Sequence, residues 1–298
     1  MQNERSTSAF IAIVGKPNVG KSSILNRLLG TKVAIVSSKP QTTRTKITGI
    51  LTKGSDQLVF IDTPGLHKPK NALGENMVKA VNEGMTDVDC CALVVEPDEK
   101  IAPAEYEFIE RFKKQKLPSV LVINKTDTIK EKSALLGVIA AYSKLYDFDA
   151  FIPVSARTGD GIDELLDKFF EYRTESVHFF DDDSLTDQPE RVIASELIRE
   201  KLLYMLDKEV PHGLAVDIEA FSDRGDQLDL SAVIYCEKSS HKGIIIGKNG
   251  AMLKKIGTAA RIELQKFFGC KVNLKLWVKI KEGWRNRVGS IHDFGLDL

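Results

Sequence analysis

Eight consecutive residues near the start of the chain, Gly15-Lys16-Pro17-Asn18-Val19-Gly20-Lys21-Ser22, carry the spacing G-x-x-x-x-G-K-S. Glycines at its two ends let the backbone curl so that successive N–H groups converge on an anion, and a helix starting there adds its N-terminus. Lys21 supplies a point charge for the β- and γ-phosphates of a nucleotide, and the Ser22 hydroxyl a ligand for Mg²⁺. Read alone, the stretch could be a glycine-rich turn with a solvated lysine. Its place between the apolar run Phe10–Val14 and the amphipathic pattern Ser22–Leu29 favours a phosphate loop. It says nothing about the base.

Two further motifs sit at the ends of apolar runs. Asp62-Thr63-Pro64-Gly65 follows Leu58-Val59-Phe60-Ile61. An aspartate there holds Mg²⁺ through its waters, and the Gly65 N–H reaches a γ-phosphate with no Cβ in the way. In isolation the tetrapeptide is an ordinary turn; downstream of a phosphate loop it reads as a metal and γ-phosphate element. Asn124-Lys125-Thr126-Asp127 follows Val120-Leu121-Val122-Ile123. Guanine presents two adjacent N–H donors that one carboxylate accepts together, and adenine would leave the Asp127 carboxylate unpaired. Asn124 is suited to bridge base and phosphate loop, and the Lys125 stem to cover the ring. A helix-capping Asn or Asp is the plainer alternative. Ser155-Ala156, after Phe151–Val154, offers a backbone N–H near Ala156 for guanine O6.

Positioning these residues needs short buried strands alternating with helices. Strand patterns at 10–14, 58–61, 92–95, 120–123 and 151–154 are separated by helical patterns at 22–29, 74–86, 103–115, 130–145 and 161–172. That order predicts an α/β fold with a mostly parallel sheet whose strand C-terminal ends form the ligand edge. Residues 177–190 contain five acids and no Lys or Arg, and read as an acidic linker between residues 1–176 and a second domain, 191–298. The second domain runs helix, two strands around a turn at 222–226, two helices flanking Gly247-Lys248-Asn249-Gly250, and a strand near 271–281: a small α+β unit.

Net charge is zero, with 42 Lys and Arg against 42 Asp and Glu, yet residues 238–288 hold 13 basic residues and two acids. Such local excess is a footprint for a phosphate backbone. The Gly247–Gly250 loop follows Ile244-Ile245-Ile246 and precedes a helix bearing Lys254, an arrangement that resembles a KH module. There the loop would clamp about four nucleotides and the isoleucines would line the base groove. Lys271, Lys275, Lys279 and Lys281 alternate with apolar residues and so share a strand face, either solvated or contacting RNA. Trp284 either stacks on a base or caps the core.

Composition narrows the class. At 298 residues, 43% hydrophobic and 28% charged, the chain is too apolar for disorder and long enough for two domains. Four cysteines (Cys90, Cys91, Cys236, Cys270) form no CxxC pair, which suits buried thiols in a reducing compartment. No apolar stretch approaches the ~20 residues that cross a bilayer, and residues 1–8 lack a signal-peptide core. These features argue against secreted, membrane-spanning and fibrous classes.

Gly15–Ser22, Asp62–Gly65, Asn124–Asp127 and Ser155-Ala156, in that order, resemble a translation-factor-type GTPase over the first ~175 residues. With the C-terminal KH-like unit, the chain resembles the Era family of bacterial GTPases over nearly its whole length. The resemblance implies a P-loop GTPase domain followed by a type II KH domain. It also implies a threonine in Gln41-Thr42-Thr43-Arg44 that ligates Mg²⁺ beside the γ-phosphate, Thr43 in preference to Thr42. Lys21, Thr43 and Gly65 would then carry catalysis. Many GTPases orient water with a Gln just after the Asp-x-x-Gly glycine; here that residue is Leu66, so intrinsic turnover should be slow and aided by a partner or a second cation. His67 next to it reads as a surface residue. Asn18 resembles the residue that helps ligate K⁺ in related GTPases, or is a loop Asn in left-handed backbone. Ser23, where threonine is common, is a conservative departure. The expected partners are GTP and GDP, and the 3′ end of 16S ribosomal RNA during maturation of the 30S subunit. The protein is expected as a cytoplasmic monomer in part peripheral to the inner membrane, a membrane-associated cell-cycle GTPase with incidental RNA binding being the alternative.

Overall fold

The computed structural model describes residues 6–296 apart from His67 and Lys132, so the reading of His67 falls outside the described residues. The chain divides into two compact units, one drawn from residues up to 36, 43–68 and 77–187, the other from 37–42, 69–76 and 188 onward.

The first unit follows the order β1 (Thr7–Val14), α1 (Lys21–Leu29), β2 (Ile47–Lys53), β3 (Asp56–Asp62), α2 (Ala72–Glu83), β4 (Cys90–Val95) and α3 (Pro103–Gln115). It continues with β5 (Ser119–Ile123), α4 (Ala134–Ser143), β6 (Ala150–Pro153), α5 (Ile162–Phe170) and β7 (Thr174–Glu175). The sheet order is β2-β3-β1-β4-β5-β6, with β7 also on β1. Pairings from β3 across to β6 are parallel, and only β2 and β7 run antiparallel to their neighbours. Helices cover both faces, so every residue of β4 and β5 is buried and the strands read as unbroken apolar runs. One face packs α1 and α5 through Ile24, Leu25, Leu165 and Phe169; the other packs α3 and α4 through Phe108, Phe112, Val138 and Tyr142. Strand β2 was not among the expected strands: its two threonines, glycine and terminal lysine dilute the apolar pattern, as an edge position allows.

The acidic stretch is folded onto this unit. Gln57, fully buried, accepts the amides of Phe179 and Phe180 at 2.8 and 3.1 Å and donates to the Phe180 carbonyl at 2.9 Å. Ile50 donates to Leu185 O at 2.9 Å, and the Phe179 ring meets Phe10 edge-on at 4.9 Å. The acids Asp181, Asp182, Asp183 and Asp187 face solvent.

The second unit contains α6 (Glu190–Met205), β8 (Ala215–Asp223), β9 (Gln227–Cys236), α7 (Ser239–Ile246), α8 (Ala251–Phe268), β10 (Lys271–Ile280) and α9 (Val288–Asp293). Its sheet runs β10-β9-β8, with β9 and β10 parallel and β8 antiparallel to β9. The expected element order holds, and α9 is an addition. Trp284 caps the core: it is fully buried, and its indole N–H donates to Gly213 O at 3.0 Å. No helix of the described residues is long and apolar enough to cross a membrane.

Candidate nucleotide site and nucleic-acid interface

The phosphate loop joins β1 to α1, and Asp62 ends β3 beside it, because β1 and β3 are parallel neighbours in register Ile13–Asp62. Lys21 is buried, and its ammonium donates to Gly15 O at 3.2 Å and Lys16 O at 3.1 Å. Asp62 is fully buried. It accepts the Ser22 hydroxyl at 2.5 Å, and Ser22 Oγ lies 3.0 Å from Thr43 Oγ1. The other carboxylate oxygen, Oδ1, has no hydrogen-bond partner among the described residues. Burial pushes Asp62 up to about 6, against the pull of Lys21 and the Ser22 and Thr43 hydroxyls. Burial likewise pushes Lys21 down to about 8, against the pull of Asp62. Both groups are held away from water, so Lys21 is suited to an anion and Asp62 to a cation.

Thr42 and Thr43 part company. The Thr42 hydroxyl donates to Lys39 O at 2.6 Å, whereas Thr43 turns to Ser22. Gly65 passes so close to the loop that a Cβ would come within 2.6 Å of Pro17 Cα and N. Its neighbour Leu66 donates its N–H to Gly15 O at 3.3 Å and packs its side chain into the core with Val81 and Phe108. Thr63 donates its hydroxyl to Ile13 O at 3.0 Å. Asn18 is exposed in left-handed backbone, φ 65°.

The loops after β5 and β6 are braced to the phosphate loop by one side chain. Asn124 donates to Val19 O at 2.7 Å and accepts the Ala156 N–H at 3.0 Å. That N–H, expected to point at guanine O6, is therefore engaged in holding Asn124. Asp127 accepts the Ser155 hydroxyl at 2.7 Å and pairs with the exposed Arg157 at 2.7 Å. The Ser155 hydrogen bond, with help from Arg157, holds the Asp127 carboxyl below the usual carboxylate range.

In the second unit, Gly247 takes φ 72° and ψ 175°, and Asn249 at the loop tip is left-handed at φ 50°. A side chain at Gly247 would also collide with Met252 Cβ at 2.7 Å, so this corner requires glycine. Lys248, Asn249 and Lys254 are exposed, and Gly250 caps the start of α8. The isoleucines divide. Ile244 is half-exposed and Ile246 partly so, but Ile245 is fully buried and belongs to the core, not to a groove. At helical spacing three consecutive residues cannot share one face. Lys281 falls just beyond β10 and lies over the Tyr235 and Phe294 rings, at 5.8 and 4.6 Å, at the end of the lysine face that Phe294 covers.

Residues 10–125 match the family described as 50S ribosome-binding GTPase, and residues 209–285 match the KH domain family. The chain is 50% identical to GTPase Era of Ruminiclostridium cellulolyticum over 97% of each chain. It is 49% identical to GTPase Era of Clostridioides difficile, over 97% of this chain and 98% of that one. The chain belongs to the Era GTPase family. Among solved structures, a crystal structure of Era in complex with MgGDPNP and nucleotides 1506–1542 of 16S ribosomal RNA superposes at TM-score 0.94. It is 36% identical and covers 98% of this chain and all of that one. A point variant of Aquifex aeolicus Era bound to GDP·AlF4⁻ gives the same TM-score at 37% identity and the same coverage.

As an Era-family GTPase, the protein has a site richer in acids than its motifs suggest. Glu96 pairs with Lys125 and, at 3.3 Å, with Lys16. Burial pushes Glu96 up, but the two lysines outweigh it and hold it below the usual range. Glu105, 1% exposed, lies 3.6 Å from Lys16 and accepts the Tyr142 hydroxyl at 2.9 Å. Neither acid belongs to a motif. Glu105 was legible only as the third residue of a helix beginning at Pro103, where it accepts the Ala102 N–H at 2.6 Å.

Proposed function

We propose that the chain is a Mg²⁺-dependent GTP-hydrolysing switch that binds the 3′ end of 16S ribosomal RNA through its KH unit and assists assembly of the 30S subunit. One observation carries the reading of the site: two hydroxyls, those of Ser22 and Thr43, gather at the buried Asp62 carboxylate, whose second oxygen has no hydrogen-bond partner among the described residues. Hard oxygen donors of this kind suit Mg²⁺, with Ser22 and Thr43 as ligands and Asp62 holding its waters. The ion would neutralise charge on the β- and γ-phosphates. Lys21 would leave the Gly15 and Lys16 carbonyls for the phosphates. The Gly65 N–H would meet the γ-phosphate, and the backbone from Gly15 to Ser23 would cradle the rest. Asp127 would exchange Arg157 for the two guanine donors, an easy trade because that arginine is 77% exposed.

Leu66 offers no atom to orient water, so catalysis rests on placement and charge, and turnover is slow without help. K⁺ beside Asn18 is one source of that help. In the KH unit, Ile244, Ile246, Gly247, Lys248, Asn249, Gly250 and Lys254 would take the nucleotide backbone and bases. We place the protein in the cytoplasm as a monomer, with part of it peripheral to the inner membrane. Phosphate release should fall to background in Lys21→Ala. An oligoribonucleotide matching the 16S 3′ end should bind the wild type and be lost in a Lys248→Asp, Asn249→Asp double variant. Equal phosphate release by wild type and Lys21→Ala would overturn the catalytic reading. RNA binding unchanged in the loop variant would overturn the clamp.

A further inference from the structure

The chain has two tryptophans, and the structure gives them opposite surroundings. Trp284 is fully buried, whereas Trp277, in the middle of β10, is 60% exposed. Side chains alternate along a strand. Val272, Leu274, Leu276 and Val278 face the helices: Leu276 sits so near Gly257 of α8 that a Cβ there would come within 3.3 Å of it. Lys271, Asn273, Lys275, Trp277 and Lys279 therefore share the opposite, outer face, and all five are exposed. One end of that face is covered, where Phe294, just past α9, lies 5.0 Å from Tyr235, the cross-strand partner of Lys279. Trp277 stands one row further in and has no aromatic or hydrogen-bond partner among the described residues. Burying so large an apolar ring is the norm, and leaving it between two lysines needs a reason.

We infer that this outer face is a second RNA-contact surface, on which Trp277 stacks a base of the strand that leaves the Gly247–Gly250 clamp. The inference rests on the clamp reading above. Charge selects the occupant. Lys271 and Lys275 have no ion pair within 4.0 Å among the described residues, though Lys275 adds to the pull on Asp229. Of the acids nearby, Asp229 pairs with Arg224 at 2.9 Å and Glu219 with Lys279 at 2.7 Å, while Asp217 feels Arg191 and Lys281. An exposed aromatic flanked by lysines at alternate positions meets what a single strand offers, a π-face beside a phosphate, whatever the base. Continuity supports it too. β10 is the edge strand of the sheet and packs against α7 and α8, the helices on either side of the clamp loop. A strand held by that loop needs only to pass the open edge to reach the outer face.

The test uses the full chain with two RNAs, a tetranucleotide that fills the clamp and a twelve-nucleotide segment of the 16S 3′ end. Trp277→Ala should bind the longer RNA about ten- to hundredfold more weakly, bind the tetranucleotide as the wild type does, and melt at the wild-type temperature. Trp277→Phe should keep most of the affinity for the longer RNA. It should also abolish the tryptophan quenching that this RNA causes in the wild type, since Trp284 is shielded. Wild-type affinity of Trp277→Ala for the longer RNA would overturn the inference, as would quenching that persists in Trp277→Phe. A protein partner lost in Trp277→Ala while RNA binding stays intact would assign the face to protein instead, and so overturn it. Failure of the clamp reading shows separately, as binding of both RNAs that survives Lys248→Asp, Asn249→Asp.

Discussion

The two units solve recognition of phosphate in opposite ways. In the first, the groups that meet the ligand are buried and braced against one another: Lys21 on backbone carbonyls, Ser22 and Thr43 around Asp62, Asn124 between two loops. In the second, the loop tip and the lysines stand in solvent, and only the glycine corner and the hydrophobic side of the helices are fixed. Dehydration makes each charge in the first site count for more and makes its geometry intolerant of change. Exposure makes the second site adaptable and sensitive to salt, as suits a long flexible polyanion.

The sharpest break of that contrast lies inside the second unit, between its tryptophans. Trp284→Ala should lower the unfolding free energy by about 3–5 kcal/mol, measured by denaturant titration, while Trp277→Ala should leave it within about 0.5 kcal/mol. Comparable losses would mean that the exposed face is structural. In the first unit, Leu66→Gln tests whether hydrolysis lacks only a side chain. Because Leu66 lies in the core, the amide should cost about 1–3 kcal/mol of stability and bring no gain in phosphate release; a faster rate would show that the residue swings out. Gly65→Ala should slow turnover roughly tenfold, about 1.4 kcal/mol, measured as phosphate release, since the new methyl would stand 2.6 Å from the Pro17 backbone and push Gly65 away from the phosphate loop.

The smallest effect is a pH dependence in the strap at 177–187. The Asp182 hydrogen bond first, with Ser55 O, raises the His178 pKa above its ordinary 6.5. A raised pKa stabilises the strap fully below 6.5 and loses that stabilisation as pH rises through the folded value. Protection of the Phe179 and Phe180 amides should therefore decline as pH rises from 6 toward 8, and show no such dependence in His178→Ala.

Much of the nucleotide site was legible because its chemistry demands fixed residues at strand ends, and parallel strands announce themselves as apolar runs. Strand β2 was missed because an edge strand buries less and reads less clearly. Glu96 and Glu105 were missed because the basic partners that define their role come from distant elements. The KH unit was legible in element order and in the alternation of β10, whose lysine face, Trp277 included, is the exposed one. Ile245 was not: it faces the core, and nothing in a run of isoleucines says which of them will be covered.

Guanine recognition by Asp127 is the claim on which the switch depends. Calorimetric titration of GTP, ATP and XTP into the wild type and Asp127→Asn measures it directly. The account predicts that the wild type prefers GTP, and that the variant loses GTP by about a hundredfold while gaining XTP, whose extra carbonyl accepts the new amide donor. Equal weakening of all three nucleotides in the variant, or a wild type that binds ATP as well as GTP, would contradict it.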